Sequence, residues 1–245
     1  MEDLRRLWAT LREDLPSLGL IALILLIVVW TVISADWVEG LSILPAVVAI
    51  SLVTSYLLSV SRLHELVVLW ITAVYGWFTV WVLAGRLIPE PLPFRLRLLE
   101  LNFRFGAWVE RALGGGFSRD NLIFLVLVAL LAWLLTFNAV WNLFRTRRLW
   151  LAVIPPGIGL LINAYHYFGP LPIELFVLAF LFLTFLLAVS TNAVNREHAW
   201  RLQGAAFKPG MRFDLVRGGV VAIVVLLVVS WFAPTASANE ELANL

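Results

Sequence analysis

WLAVIPPGIGLLINAYHYFG, residues Trp150 to Gly169, is apolar enough to lie in a bilayer, yet it holds Pro155 and Pro156 back to back, with Asn163 and His166 further along. Three readings fit the stretch alone: an active site, a ligand pocket, or a membrane helix bent by its prolines. The rest of the chain decides among them. Of its 245 residues 62% are hydrophobic and 14% charged, and the mean hydropathy is +0.93. A soluble domain carries about 25% charged residues, so the composition points to an integral membrane protein. The net charge of +2 calls for no nucleic-acid partner, because most charges fall at the ends of apolar runs. The sequence has no cysteine, which removes disulfides, thiolate nucleophiles and cysteine-ligated metals together.

A bilayer core needs about 20 apolar residues per helix. Runs of that kind cover Ser17 to Ser34, Gly40 to Ser61, Leu66 to Gly85, Asn121 to Phe144, Leu149 to Phe168, Leu171 to Val194 and Leu215 to Ala233. The expected fold is therefore all-α, a polytopic transmembrane bundle of about seven helices, and Trp150 to Gly169 is its fifth. With the N-terminus inside, alternation puts twelve of the 18 Lys and Arg residues on the cytoplasmic side. The positive-inside rule then selects N-in and C-out. The six exceptions, Arg86, Arg95, Arg97, Arg104, Arg111 and Arg119, all lie in one connection. Within it Phe94, Leu98, Leu101, Phe105, Trp108 and Ala112 share one helical stripe, and Arg97, Glu100, Arg104 and Arg111 another. That pattern predicts an amphipathic helix lying along the outer leaflet and docked on the bundle. Leu4, Leu7, Trp8, Leu11 and Leu15 repeat the device at the N-terminus.

The expected organisation is a cytoplasmic amphipathic helix over 1–16, membrane helices over 17–85, and an extracytoplasmic amphipathic segment over 86–120. Membrane helices then fill 121–194, a basic cytoplasmic loop 195–214, a seventh membrane helix 215–233 and an extracytoplasmic tail 234–245.

Several polar positions inside the runs are candidates for chemistry or for packing. Ser51, Ser55 and Ser59 recur every four residues and form a small-residue stripe along which a neighbouring helix can approach. Asn138 and Asn142 share a face of the fourth helix, Asn192 and Asn195 a face of the sixth. These amides are expected to bond across the bundle and fix helix rotation; a polar substrate path is the sharper alternative. His166 has no second histidine or thiolate at its depth for haem or zinc, and Glu174, after the next external turn, is its expected partner. Pro155 and Pro156 remove two backbone donors, while Gly157 and Gly159 let a neighbour come close enough to mask the freed carbonyls. A kink is favoured over a transporter-like broken helix, which would call for a matching break elsewhere. No catalytic, cofactor or metal residue is assigned.

Three passages, GGGFSRDNLIFLVLVALLAWLL, AVWNLFRTRRLWLAVIPPGIGLLIN and MRFDLVRGGVVAIVVLLVVSWFAPTAS, together resemble the N-terminal membrane region of bacterial membrane-anchored transglutaminase-like proteins of the TgpA type. The resemblance implies a multi-pass bundle in the bacterial cytoplasmic (inner) membrane, followed in that family by an extracytoplasmic papain-like domain with a Cys, His, Asp triad. Without a cysteine, no nucleophile of the family falls on any residue here. What the resemblance implies for this chain is thus a non-catalytic anchor or scaffold, in contact with the lipid bilayer and with a protein partner or domain near its C-terminus. An accessory subunit of a larger membrane complex is the rival reading; a small transporter or an intramembrane enzyme is a weaker one.

Overall fold

In the computed structural model the described residues are 2–88, 93–116, 120–165, 167, 169–202 and 217–225, with the side chains of 2–13 and 194–202 left aside. They form α1 (Glu2–Ser34), a 3-10 turn (Leu41–Ile43) leading into α2 (Leu44–Val60), α3 (Glu65–Gly85), α4 (Phe94–Leu113), α5 (Asn121–Val140) ending in a π turn (Trp141–Arg145), α6 (Leu149–Tyr165) and α7 (Ile173–Leu202). Residues 217–225 are also helical. No strand occurs among the described residues.

Among the described residues five stretches are long and apolar enough to cross a membrane: Asp14–Ser34, Leu41–Val60, Glu65–Gly85, Asn121–Arg145 and Ile173–Ala193. They coincide with five of the runs in the sequence. Helix α6, the stretch with the prolines, has 17 residues. At 1.5 Å per residue it is about 25 Å long, short of a core of about 30 Å. The last expected span falls mostly outside the described residues. The amphipathic N-terminal segment and the first span are one continuous helix, α1, with Pro16 inside it.

By packing, the chain divides into two units: Ile21–Val177, and a second made of Met1–Leu20 and Leu178–Leu245. In the second unit Gly219 lies so close to α7 that an added Cβ would come within 2.6 Å of Val189 Cγ1. In the first unit, α5 sits between α2, α3 and α6 and touches all of them.

The side chains of this first unit are sorted in a way that a bilayer explains. Helix α3 buries Thr72, Gly76, Thr79 and Ala84, while Trp70 is 72% and Phe78 62% exposed. Apart from Val68, Val80 and Trp81, which are also buried, the large apolar groups of α3 face outward and its small or hydroxylated ones inward. In water this would expose a long apolar face; in lipid it is the favourable arrangement, because close backbone approach rather than hydrophobic exclusion joins the helices. Gly76 shows the approach at its tightest: the Trp133 indole of α5 occupies the space a Cβ would need.

Two ends of the first unit are tied differently. At one, Gly40 adopts φ +92°, and a Cβ there would meet Leu87 after α3 at 2.7 Å and Leu125 of α5 at 3.0 Å. The same end carries α4. Its Asn102 Oδ1 accepts from Trp81 Nε1 at 3.0 Å, and Phe105 meets Trp77 and Trp81 edge-on, each with ring centroids 5.2 Å apart. Leu101 of the predicted stripe is fully buried, so the stripe's centre packs on α3. At the other end, Arg145 donates from Nη1 to Ser61 O at 2.7 Å and to Ser59 O at 3.5 Å, and from Nη2 to Leu63 O at 3.5 Å. The guanidinium stands over the Trp141 ring, 5.6 Å from its centroid. A cation thereby meets carbonyls that the end of α2 leaves without helical partners, where the helix dipole also favours it.

Candidate functional site

Helix α6 runs unbroken through Pro155 and Pro156. Proline has no N–H, so the carbonyl four residues earlier loses its helical donor; for Pro155 that carbonyl belongs to Leu151. Asn138 of α5 replaces the donor: its Nδ2 reaches Leu151 O at 2.9 Å. Asn142 Nδ2 in turn donates to both the Asn138 carbonyl and Asn138 Oδ1, each at 2.9 Å. Thr146 Oγ1 donates to Asn142 Oδ1 at 3.1 Å and Asn142 O at 3.2 Å. The result is a polar ladder up the end of α5, continued through its π turn, with its last rung on the backbone of α6. Asn138 and Asn142 thus bond to one another and to α6.

About 18 Å further along α6, counted at 1.5 Å per residue, the arrangement differs. Asn163 is 2% exposed, yet neither its Nδ2 nor its Oδ1 has a hydrogen-bond partner among the described residues. It lines a cavity of about 170 Å³ that also touches Pro156 and Gly159 of α6, Val28 and Val32 of α1, Val48 of α2, and Ala132 and Thr136 of α5. Thr136 Oγ1 is already engaged, donating to Ala132 O at 2.8 Å. The wall is otherwise aliphatic apart from the Trp37 indole, and no charged side chain contributes to it.

The serine stripe faces inward: Ser51, Ser55 and Ser59 are all buried. Ser51 Oγ donates to the Trp133 carbonyl of α5 at 3.0 Å, an interhelical bond. Ser59 Oγ returns to Tyr56 O on its own helix at 2.7 Å. Trp133, the largest fully buried side chain among the described residues, thus has its carbonyl on Ser51 and its ring on Gly76. Asn192 is exposed on α7, Glu174 is exposed in that helix's first turn and Gly157 is half-buried. His166 and the Asn195 side chain lie outside the described residues, and with them the expected His166–Glu174 pair. No group of three or more His, Cys, Asp or Glu side chains that could hold a metal occurs among the described residues.

The sequence puts Asn138 and Asn142 on one face but does not join them to Pro155; it counts Arg145 only among the cytoplasmic charges and assigns no role to Thr146 or Gly76. The proline carried the missing signal, since its position names the carbonyl that must find a donor. What the fold and these sites define is a helical chain of multi-pass membrane type. No known protein-family model, no curated protein and no solved structure matches it.

Proposed function

We propose that the chain is a non-catalytic multi-pass membrane scaffold, oriented N-in and C-out with seven spanning helices in a bacterial inner membrane. It would hold an extracytoplasmic domain or partner in place near its C-terminus, in the manner of the membrane region of TgpA-type transglutaminase-like proteins. One observation carries this reading: three polar side chains of the first unit fasten helix backbones to one another. Asn138 holds Leu151 O, Ser51 holds Trp133 O and Arg145 holds the end of α2. Such bonds set helix position and rotation, which is what a platform requires.

Two measurements test the proposal. Reporter fusions after Arg62, Arg148 and Lys208 should read cytoplasmic, and those after Gly115 and Asn239 the opposite side; a cytoplasmic reading at Asn239 removes one of the seven spans and with it the proposed placement of the partner. Purification from the native membrane should bring down an extracytoplasmic protein that binds the C-terminal region, and the chain alone should show no transamidation. Transamidation by the purified chain overturns the scaffold reading, and co-purification only with other integral subunits replaces it by an accessory role in a larger complex.

A further inference from the structure

The cavity beside Asn163 is built for something the ladder residues are not. Its volume of about 170 Å³ is close to that of an engineered apolar cavity of about 150 Å³ that takes up benzene. Its wall offers Asn163 as the only polar side chain whose hydrogen-bonding atoms are both buried and unused among the described residues. A primary amide presents two N–H donors and an acceptor oxygen, and in an apolar setting each unmet group is costly. Water satisfies such a group when it finds about two to four polar partners; here one amide, one hydroxyl that already donates its proton and the partly exposed Trp37 indole stand in an otherwise aliphatic wall.

Leu131 of α5 and Ile162 of α6 line the same cavity and are both among the exposed apolar residues of the unit. The cavity therefore reaches the outer surface of the α5–α6 pair, where a membrane chain meets lipid tails. A charged headgroup would find no counter-charge in the wall. A ketone or ester would accept from Nδ2 and leave Oδ1 unmet. A hydroxyl both donates and accepts, so it answers both atoms of Asn163 at once.

We propose that this cavity is a binding site for a neutral lipid alcohol, the Asn163 amide turning into it to meet the hydroxyl and the slim apolar chain leaving between Leu131 and Ile162 into the bilayer. Gly159 leaves room for the chain: a Cβ there would meet only Leu135 Cδ1, at 3.9 Å.

The full chain, reconstituted in phosphatidylcholine nanodiscs, is irradiated with a hexadecanol carrying a diazirine close to its hydroxyl, and separately with the matching diazirine hexadecane. Labelled peptides are identified by mass spectrometry. The alcohol should label the α5 and α6 segments around Leu135 and Gly159 more than the alkane by about fivefold or more, the ratio that one net hydrogen bond sustains. Unlabelled hexadecanol should suppress that labelling and unlabelled hexadecane should not. Asn163→Leu should erase the preference for the alcohol, and Gly159→Leu, which fills the cavity, should remove labelling by both probes. Equal labelling by the two probes in the wild-type chain, a preference that survives Asn163→Leu, or no labelling of these segments at all each overturns the proposal. Should either variant fail to fold, as judged by circular dichroism, the competition on the wild-type chain decides alone.

Discussion

Asn138 and Asn163 are the same residue type in the same apolar bundle, both in contact with or part of α6, and they are treated in opposite ways. Asn138 lies on a partly exposed face, and its amide is engaged on both sides: Nδ2 on the Leu151 carbonyl and Oδ1 on Asn142. Asn163 is almost wholly buried, and its amide meets no partner among the described residues. The difference shows that burial alone does not identify a structural amide. A bond from Asn138 repairs a defect that Pro155 makes in its neighbour; Asn163 repairs nothing within the described structure, and therefore imposes a cost that an occupant of the cavity can relieve.

The largest effect should come from Asn138→Leu. Removing the donor leaves the Leu151 carbonyl without a partner, a loss of about 1–3 kcal/mol, read as a lower midpoint in an SDS unfolding titration followed by circular dichroism. Adding Pro155→Ala returns the N–H that α6 lacks. The double variant should therefore recover about 1 kcal/mol or more of that loss; strictly additive effects would show that Asn138 and Pro155 are not coupled. Asn163→Leu should move the other way. Exchanging an unpaired buried amide for an apolar group of similar size should raise the midpoint, by up to about 1 kcal/mol, in detergent free of added alcohol. A fall as large as that of Asn138→Leu would mean that Asn163 holds a bond, and the contrast between the two amides would be gone. The smallest change is expected for Ser51→Ala, about 0.6 kcal/mol, the usual value of one interhelical bond in a membrane bundle, since the Trp133 carbonyl it meets lies inside a continuous helix.

How far the sequence reveals this molecule depends on the range of the interaction. The helices follow from apolar run length, and Asp120 before α5 is a start signal whose Oδ1 does accept from Leu122 N and Ile123 N, at 3.0 and 3.4 Å. The stripe Leu98, Leu101, Phe105 on α4 follows from a 3.6-residue period, and so does the inward serine stripe on α2. Contacts between distant segments follow no such period. Gly76 against Trp133 joins α3 to α5, and nothing in the neighbourhood of either residue announces the other. The Asn163 cavity is a still longer-range property, made by four helices that each leave a little space, and no local pattern encodes a void. Asn138 stands between these cases: its partner is unreadable from its own surroundings but is named by a proline thirteen residues beyond the end of its helical turn's reach, through the carbonyl that proline sets free.

The π turn at Trp141–Arg145 carries a consequence for the chain's length as opposed to its chemistry. One residue advances an α-helix by about 100°, and a π turn is one residue's worth of slack within it. Deleting a single residue there, Leu143 for example, would let α5 close as a regular α-helix with Arg145 near its present phase, whereas deleting one in the α-helical part, Leu130 for example, would swing Arg145 by roughly that angle, off the carbonyls of Ser59, Ser61 and Leu63. The segment thus acts as a phase adjuster between two helices: loss of one residue within it should be borne, whereas loss of one in the α-helical part of α5 should unfasten this end of the bundle even though every side chain of the π turn is kept.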